Sequence, residues 1–188
     1  MVGLIHRTLF SLVESAAGND AVVEVQRRAG VPRDKVFRMD QAYDDAEWQQ
    51  LLAAACEVLG VTQPQAEQAF AEFFLRDALK RWPRWFAMSH SAREFLERQP
   101  KIHNSVATGV RDPATRRAIE DKFRVDSRDG ELVVHYKSSN QLCGLYQALA
   151  RCIIAHFGDK ATIDEVRCMK NGDPECEIHI RWPKAGGE

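Results

Sequence analysis

Val134-His135-Tyr136-Lys137-Ser138-Ser139-Asn140-Gln141-Leu142-Cys143-Gly144-Leu145 joins two kinds of local order, and its reading decides the fold. Leu132, Val133, Val134 and Tyr136 are β-favouring residues gathered in one short run, whereas Leu142, Leu145, Tyr146, Leu149, Ile153 and Phe157 recur at helical spacing. A strand therefore hands over to an apolar helix. Ser138, Ser139 and Asn140 each offer a side-chain oxygen able to cap the orphan amides of that helix. Upstream, residues 122–126 and 131–136 read as strands around Ser127-Arg128-Asp129-Gly130, whose Asp-Gly pair signals a hairpin. Downstream, residues 162–169 and 176–182 read as a second hairpin across 170–175. Cys176, Ile178, Ile180 and Trp182 alternate with Glu177, His179 and Arg181, so one face packs inward, and His135 and His179 fall on the polar side.

The preceding part of the chain is helical. In residues 2–17, Leu4, Ile5, Thr8, Leu9, Leu12 and Val13 follow spacings of three and four, and Gly18 ends the run. Residues 21–29 extend this by a turn or two before Gly30 and Pro32. Tyr43-Asp44-Asp45-Ala46-Glu47 reads as a helix start, with acidic residues where the helix dipole favours them, and the helix stops at Gly60. Another helix covers 64–80, with Phe70, Phe73 and Phe74 on its aromatic face, until Trp82-Pro83-Arg84-Trp85-Phe86 breaks it. Residues 91–110 are again helical, with Pro100 marking an irregular turn before His103.

Composition narrows the function. The chain has 188 residues, enough for one domain with a substantial core. With 26 Lys and Arg against 27 Asp and Glu, the net charge of -1 argues against nucleic-acid partners and against a membrane-attracting basic face. No apolar run approaches the ~20 residues of a membrane span, and residues 1–12 are too polar for a secretory signal. Cys56, Cys143, Cys152, Cys168 and Cys176 are an odd set with no export signal, which points to reduced thiols and a cytoplasmic location. Residues 184–188 read as a disordered tail.

The chemistry turns on His103. Ile102, Val106 and Val110 lie four apart, and His103 stands beside that stripe, where its imidazole can reach an interior. On the residues alone, His103 is either a core or surface histidine or a ligand. Tyr136-Lys137-Ser138-Ser139-Asn140 followed by Leu-Cys-Gly-Leu resembles the Tyr-x-Ser-x-Arg motif of H-NOX domains, the heme-based nitric oxide and oxygen binding proteins. Lys101-Ile102-His103 falls where that family places its proximal heme ligand, 136 minus 103, or 33, residues before the tyrosine. The Tyr43-Asp44-Asp45 segment and the Trp-Pro-x-Trp-Phe stretch are similar to family features as well.

The resemblance covers nearly the whole chain and implies an α+β fold. It implies one heme-binding domain over residues 1–183, with a distal helical subdomain at about 1–62 and a proximal one at 63–183 built on an antiparallel sheet packed with helices. Heme b would be ligated by neutral His103, with Tyr136, Ser138 and Asn140 donating to its propionates and Pro113 pressing on the porphyrin. Asn140 stands where the family has arginine, and it supplies neither charge nor a bidentate fork, so weaker propionate anchoring is expected. Ile5, Leu9, Phe74, Ala78 and Leu145 are the candidates for the gas pocket. Oxygen-binding relatives carry a tyrosine nine residues past the motif tyrosine, where this chain has Leu145, so nitric oxide and carbon monoxide are expected rather than oxygen; Tyr146, next door, is the rival hydroxyl. The role implied is sensing without turnover, with a histidine kinase or a cyclic-di-GMP enzyme as partner.

Some bacterial relatives carry a cysteine zinc site or thiol switch in the C-terminal region, and Cys143, Cys168 and Cys176 are candidate zinc ligands on that resemblance. Four donors are needed, so Cys152, Glu165 or His179 would complete the set. Otherwise the thiols simply fill core. The alternative function is a heme-free ligand-binding or interaction module, similar to the vinyl-reductase-type domains through Gly172-Asp173-Pro174-Glu175-Cys176. A hydrolase or thiol enzyme ranks lower, for want of a phosphate loop, a nucleophile elbow or a Cys-x-x-Cys pair.

Overall fold

The structure, a computed structural model, describes residues 1–39, 41–108, 110 and 113–183. The expected tail at 184–188 lies outside the described residues. The chain divides into two compact units, Met1–Phe74 and Leu75–Glu188.

In the first unit, α1 (Gly3–Ala17), α2 (Asn19–Arg28), α3 (Asp45–Leu59) and the first part of α4 (Gln63–Arg81) bury one shared apolar cluster. Asp44 caps α3 by accepting from Ala46 N–H at 2.9 Å, and Gly60 ends it in the left-handed conformation at φ 65. Leu9, Val13, Val25, Trp48, Leu51 and Phe70 are at most 2% exposed. A side-chain carbon at position 3 would meet the Arg38 carbonyl oxygen at 2.1 Å. Only glycine lets α1 start there.

In the second unit, the sheet has strand order β1-β2-β4-β3, antiparallel throughout, from β1 (Phe123–Arg128), β2 (Glu131–Tyr136), β3 (Thr162–Arg167) and β4 (Cys176–Arg181). Leu132, Val134, Cys176, Ile178 and Ile180 are fully buried. Each aliphatic side chain so placed contributes about 1.5–3 kcal/mol. His135 and His179 lie on the other face among carboxylates. His135 meets Glu175 at 2.9 Å and Asp126 at 3.3 Å, and His179 meets Glu131 at 2.7 Å and Glu177 at 2.8 Å. The helices of this unit are α5 (Pro83–Ala87), α6 (Ala92–Glu97), α7 (Gln99–Ala107), α8 (Pro113–Glu120) and α9 (Cys143–His156). α6 packs on α9, and α7 packs on α6, α8 and β1.

The α+β class expected from the sequence is the observed one, with several local corrections. The first hairpin closes through Asp129-Gly130 alone, because Arg128 still pairs with Glu131. α9 starts at Cys143, with Leu142 rather than Ser138, Ser139 or Asn140 in the capping position and no side-chain cap hydrogen bond from it. Gln141 takes φ 50, and that turn carries the helix start past the three residues. β3 ends at Arg167, not 169: a bulge between Glu165 and Arg167 breaks the ladder, and a 3₁₀ turn, Met169–Asn171, follows. Pro83 and Pro100 both open helices rather than interrupt them, which suits a residue lacking an amide donor. Residues 113–120, given no element from the sequence, form α8.

Candidate functional site

His103 lies in the middle of α7, and the ring it meets is Phe123 at the start of β1, 4.9 Å away and edge-on. Phe123 is the hub of a cluster, 5.1 Å from Tyr136 and 5.4 Å from Tyr146. The register explains this convergence: Phe123 pairs with Tyr136 across β1 and β2, and Tyr146 comes up from α9. Nothing in the hydrophobic pattern singled out Phe123, since any apolar residue opens a strand acceptably.

The cluster holds orphaned polar atoms. Nδ1 of His103 and the Tyr146 hydroxyl are both buried without a hydrogen-bond partner among the described residues. Such atoms normally find a partner, because leaving one unpaired costs about 1–3 kcal/mol. Burial, with help from the Lys122 charge, lowers the His103 pKa to about 4, against the opposing effect of Asn104. His103 is therefore neutral at physiological pH and offers a lone pair. Burial also pushes the Tyr136 hydroxyl up to about 12, so it stays protonated.

The stretch between β2 and α9 folds around that tyrosine. The Tyr136 hydroxyl accepts from Leu142 N–H at 3.2 Å, which serves one of the amides at the α9 start. Ser138 Oγ accepts from Asn140 N–H at 3.3 Å. Ser138 and Asn140 are 6% and 2% exposed, so two short polar side chains are held inside beside Tyr136. Leu145 and Ala78 are buried in this unit, and Pro113 is exposed at the first turn of α8. Tyr146, the rival hydroxyl, packs its ring on Phe123 and belongs to the His103 cluster.

Ile5, Leu9 and Phe74 lie in the first unit. Leu9 is buried, Ile5 half-buried, and Phe74 stacks on Phe70 at 6.1 Å. His6 matched no family position, yet it is fully buried on α1 and stacks on Phe37 at 4.3 Å with 9° between the rings. Burial lowers its pKa to about 4.

A second cluster joins Cys143, Glu165, Cys168 and Cys176, whose ligand atoms all lie within 4.8 Å of one another. Glu165 is thus the fourth donor brought to the three cysteines, and neither Cys152 nor His179 is part of this group. The bulge in β3 sets the local path of the strand at Glu165. The thiols are free, and the Sγ atoms of Cys143 and Cys168 are 3.6 Å apart. A disulfide would need about 2.05 Å, whereas the edge of a tetrahedron with Zn–S of 2.3 Å is about 3.8 Å. Burial raises the Cys143 and Cys176 thiols above the ordinary range.

Comparison with known proteins identifies the family. The sequence model of the haem-NO-binding family matches residues 2–165. Soluble guanylate cyclase gcy-37 of Caenorhabditis elegans is 28% identical over 55% of this chain and 15% of its own length. Soluble guanylate cyclase gcy-32 of the same organism is 23% identical over 96% of this chain and 26% of its own length. The chain thus spans about a quarter or less of these curated relatives. Among solved structures, an H-NOX protein from S. oneidensis in the Fe(II)NO ligation state superposes with a TM-score of 0.80 at 19% identity, over 98% of this chain and 100% of that one. The Fe(II) unliganded H-NOX protein from K. algicida gives 0.76 at 21% identity over 100% of both. With its match to the family model over most of its length and a fold to go with it, the chain belongs to the haem-NO-binding, or H-NOX, family.

Proposed function

We propose that this chain is a heme-based sensor that binds nitric oxide and passes the event to a partner signalling protein, with no turnover of its own. The observation that carries this reading is His103: half-buried, neutral, and with a buried Nδ1 unpaired among the described residues inside an aromatic cluster. Heme, when bound, supplies a ferrous iron at which nitric oxide or carbon monoxide docks. His103 would hold that iron through a ring nitrogen. Tyr136, Ser138 and Asn140 would donate hydrogen bonds to the propionates, and Pro113 would press on the porphyrin. The orphaned atoms of the cluster fit a polar, metal-bearing group of this kind.

Gas preference follows from the candidate lining. Leu145 offers no hydroxyl, and the Tyr146 hydroxyl belongs to the cluster around Phe123. Bound oxygen takes on negative charge and needs a donor, whereas nitric oxide does not, so nitric oxide is favoured. The signal leaves through α7. This helix packs on α6, α8 and β1, so releasing His103 lets it shift against three neighbours and biases a partner's equilibrium. The partner is a histidine kinase or a cyclic-di-GMP enzyme. No helix among the described residues is long and apolar enough to cross a membrane.

The test is the visible spectrum of the ferrous, heme-supplied protein before and after nitric oxide. A Soret band that moves with nitric oxide and stays put in air is expected. No specific heme band, even with excess heme, would sink the reading.

Zinc at the cysteine cluster is the second part of the proposal. Cys143, Cys168 and Cys176 with Glu165 complete a four-donor count, in the place of a purely apolar thiol core. Reduced protein should retain about one zinc per chain after dialysis, and Cys143→Ser should lose it. Metal analysis showing no zinc in either protein would refute this site.

A further inference from the structure

This inference rests on the heme reading above and concerns what fixes the His103 ring. Nδ1 is the enclosed nitrogen of that imidazole and has no hydrogen-bond partner among the described residues, which leaves Nε2 to meet an iron. A histidine that holds a metal through one nitrogen keeps its proton on the other, and the group that accepts from that N–H fixes the tautomer and the plane of the ring. The site therefore needs an acceptor for Nδ1–H.

Gln99 offers one. It is the first residue of α7, four before His103, and its Oε1 is also buried with no partner among the described residues. Residues four apart stand about 40° from one another around a helix and roughly one turn along it, where side chains meet. Helical side chains also lean toward the N-terminus, which carries the His103 ring over the turn that Gln99 begins. Two buried polar atoms without partners, one a nitrogen that must donate and the other an oxygen that can only accept, thus share one face of one helix. Other buried oxygens nearby are worse placed. Asn104 bears on the imidazole, and its Oδ1 is buried without a partner in hydrogen-bond geometry. Consecutive residues, however, point about 100° apart on a helix and do not face each other. The Tyr146 hydroxyl belongs to a ring whose contact among the described residues is with Phe123.

We propose that Gln99 is the positioning residue of His103, its Oε1 accepting from Nδ1–H when Nε2 holds the iron. An amide oxygen orients the ring without drawing the proton away as a carboxylate would. The bond from histidine to iron then stays weak, which suits a ligand that has to be released.

The experiment compares wild type, Gln99→Leu, Gln99→Glu and Asn104→Ala by the iron–histidine stretching band of the ferrous, heme-supplied chain in resonance Raman, by heme loss to an acceptor protein, and by the urea midpoint of the apo-chain. Gln99→Leu lowers the band and speeds heme loss by about tenfold or more, while its apo-chain keeps or gains stability because a buried oxygen without a partner has gone. Gln99→Glu raises the band, and Asn104→Ala leaves it in place. A band unmoved in both Gln99 variants, a shift that follows Asn104→Ala instead, or a Gln99→Leu apo-chain that is itself destabilised overturns the assignment. A wild-type band that is absent, or that survives His103→Ala, overturns the heme reading itself, and the assignment with it.

Discussion

His103→Ala abolishes the nitric oxide response of the heme-supplied protein and weakens heme retention by at least about a hundredfold, as measured by the Soret band and by heme loss to an acceptor protein. The argument is chemical before it is structural. His103 is kept neutral by burial and by the Lys122 charge, so its lone pair is available across the physiological range. Alanine at this position removes that lone pair, and removing one ligand bond worth about 3 kcal/mol already gives a hundredfold. Packing alone predicts something else. His103 touches Phe123 edge-on, and losing that contact would lower stability modestly without changing which gases bind. Free imidazole added to His103→Ala separates the two: it restores the band if the residue is a ligand, and does nothing for a packing defect. A variant that keeps the wild-type spectrum and its shift with nitric oxide would remove His103 from the site.

Much of this arrangement was legible in the sequence, for physical reasons that can be named. β2 and α9 announced themselves because a β-branched run gives way to helical spacing, and β4 because Cys176, Ile178 and Ile180 alternate with polar residues. His103 was singled out by the family resemblance, 33 residues before Tyr136, and the structure sets it edge-on to Phe123. Phe123 was not, because its importance comes from strand register, which places it between His103 and Tyr136. Glu165 was one of three candidates to complete the cysteine set, and its proximity to that set depends on the local path of β3, a tertiary fact. The α9 start was misread because a non-glycine residue, Gln141, occupies the left-handed region. His6 was invisible because one polar residue on an amphipathic helix ordinarily faces water, and here it is enclosed by rings.

That enclosure sets the last expectation. Acidification from pH 6.5 to 4 should destabilise the protein through His6, and His6→Phe should relieve it. The folded pKa of about 4 lies below the ordinary value of 6.5, so within this window the unfolded chain binds more protons and stability falls as pH falls. The gap corresponds to roughly 3 kcal/mol once His6 is titrated in both states, of which 2 to 3 kcal/mol should be expressed by pH 4.5. Phenylalanine keeps the stack on Phe37 and the edge contacts with Tyr43 and Trp48. It gives up only a 3.3 Å hydrogen bond from Nδ1 to the Val2 carbonyl, and it removes Nε2, which is buried without a partner. At pH 7 the two proteins should therefore be close in stability, and at pH 4.5 the variant should be the more stable, as read from urea midpoints. Urea curves that stay parallel from pH 7 to 4.5 would show that His6 is not the buried neutral group described.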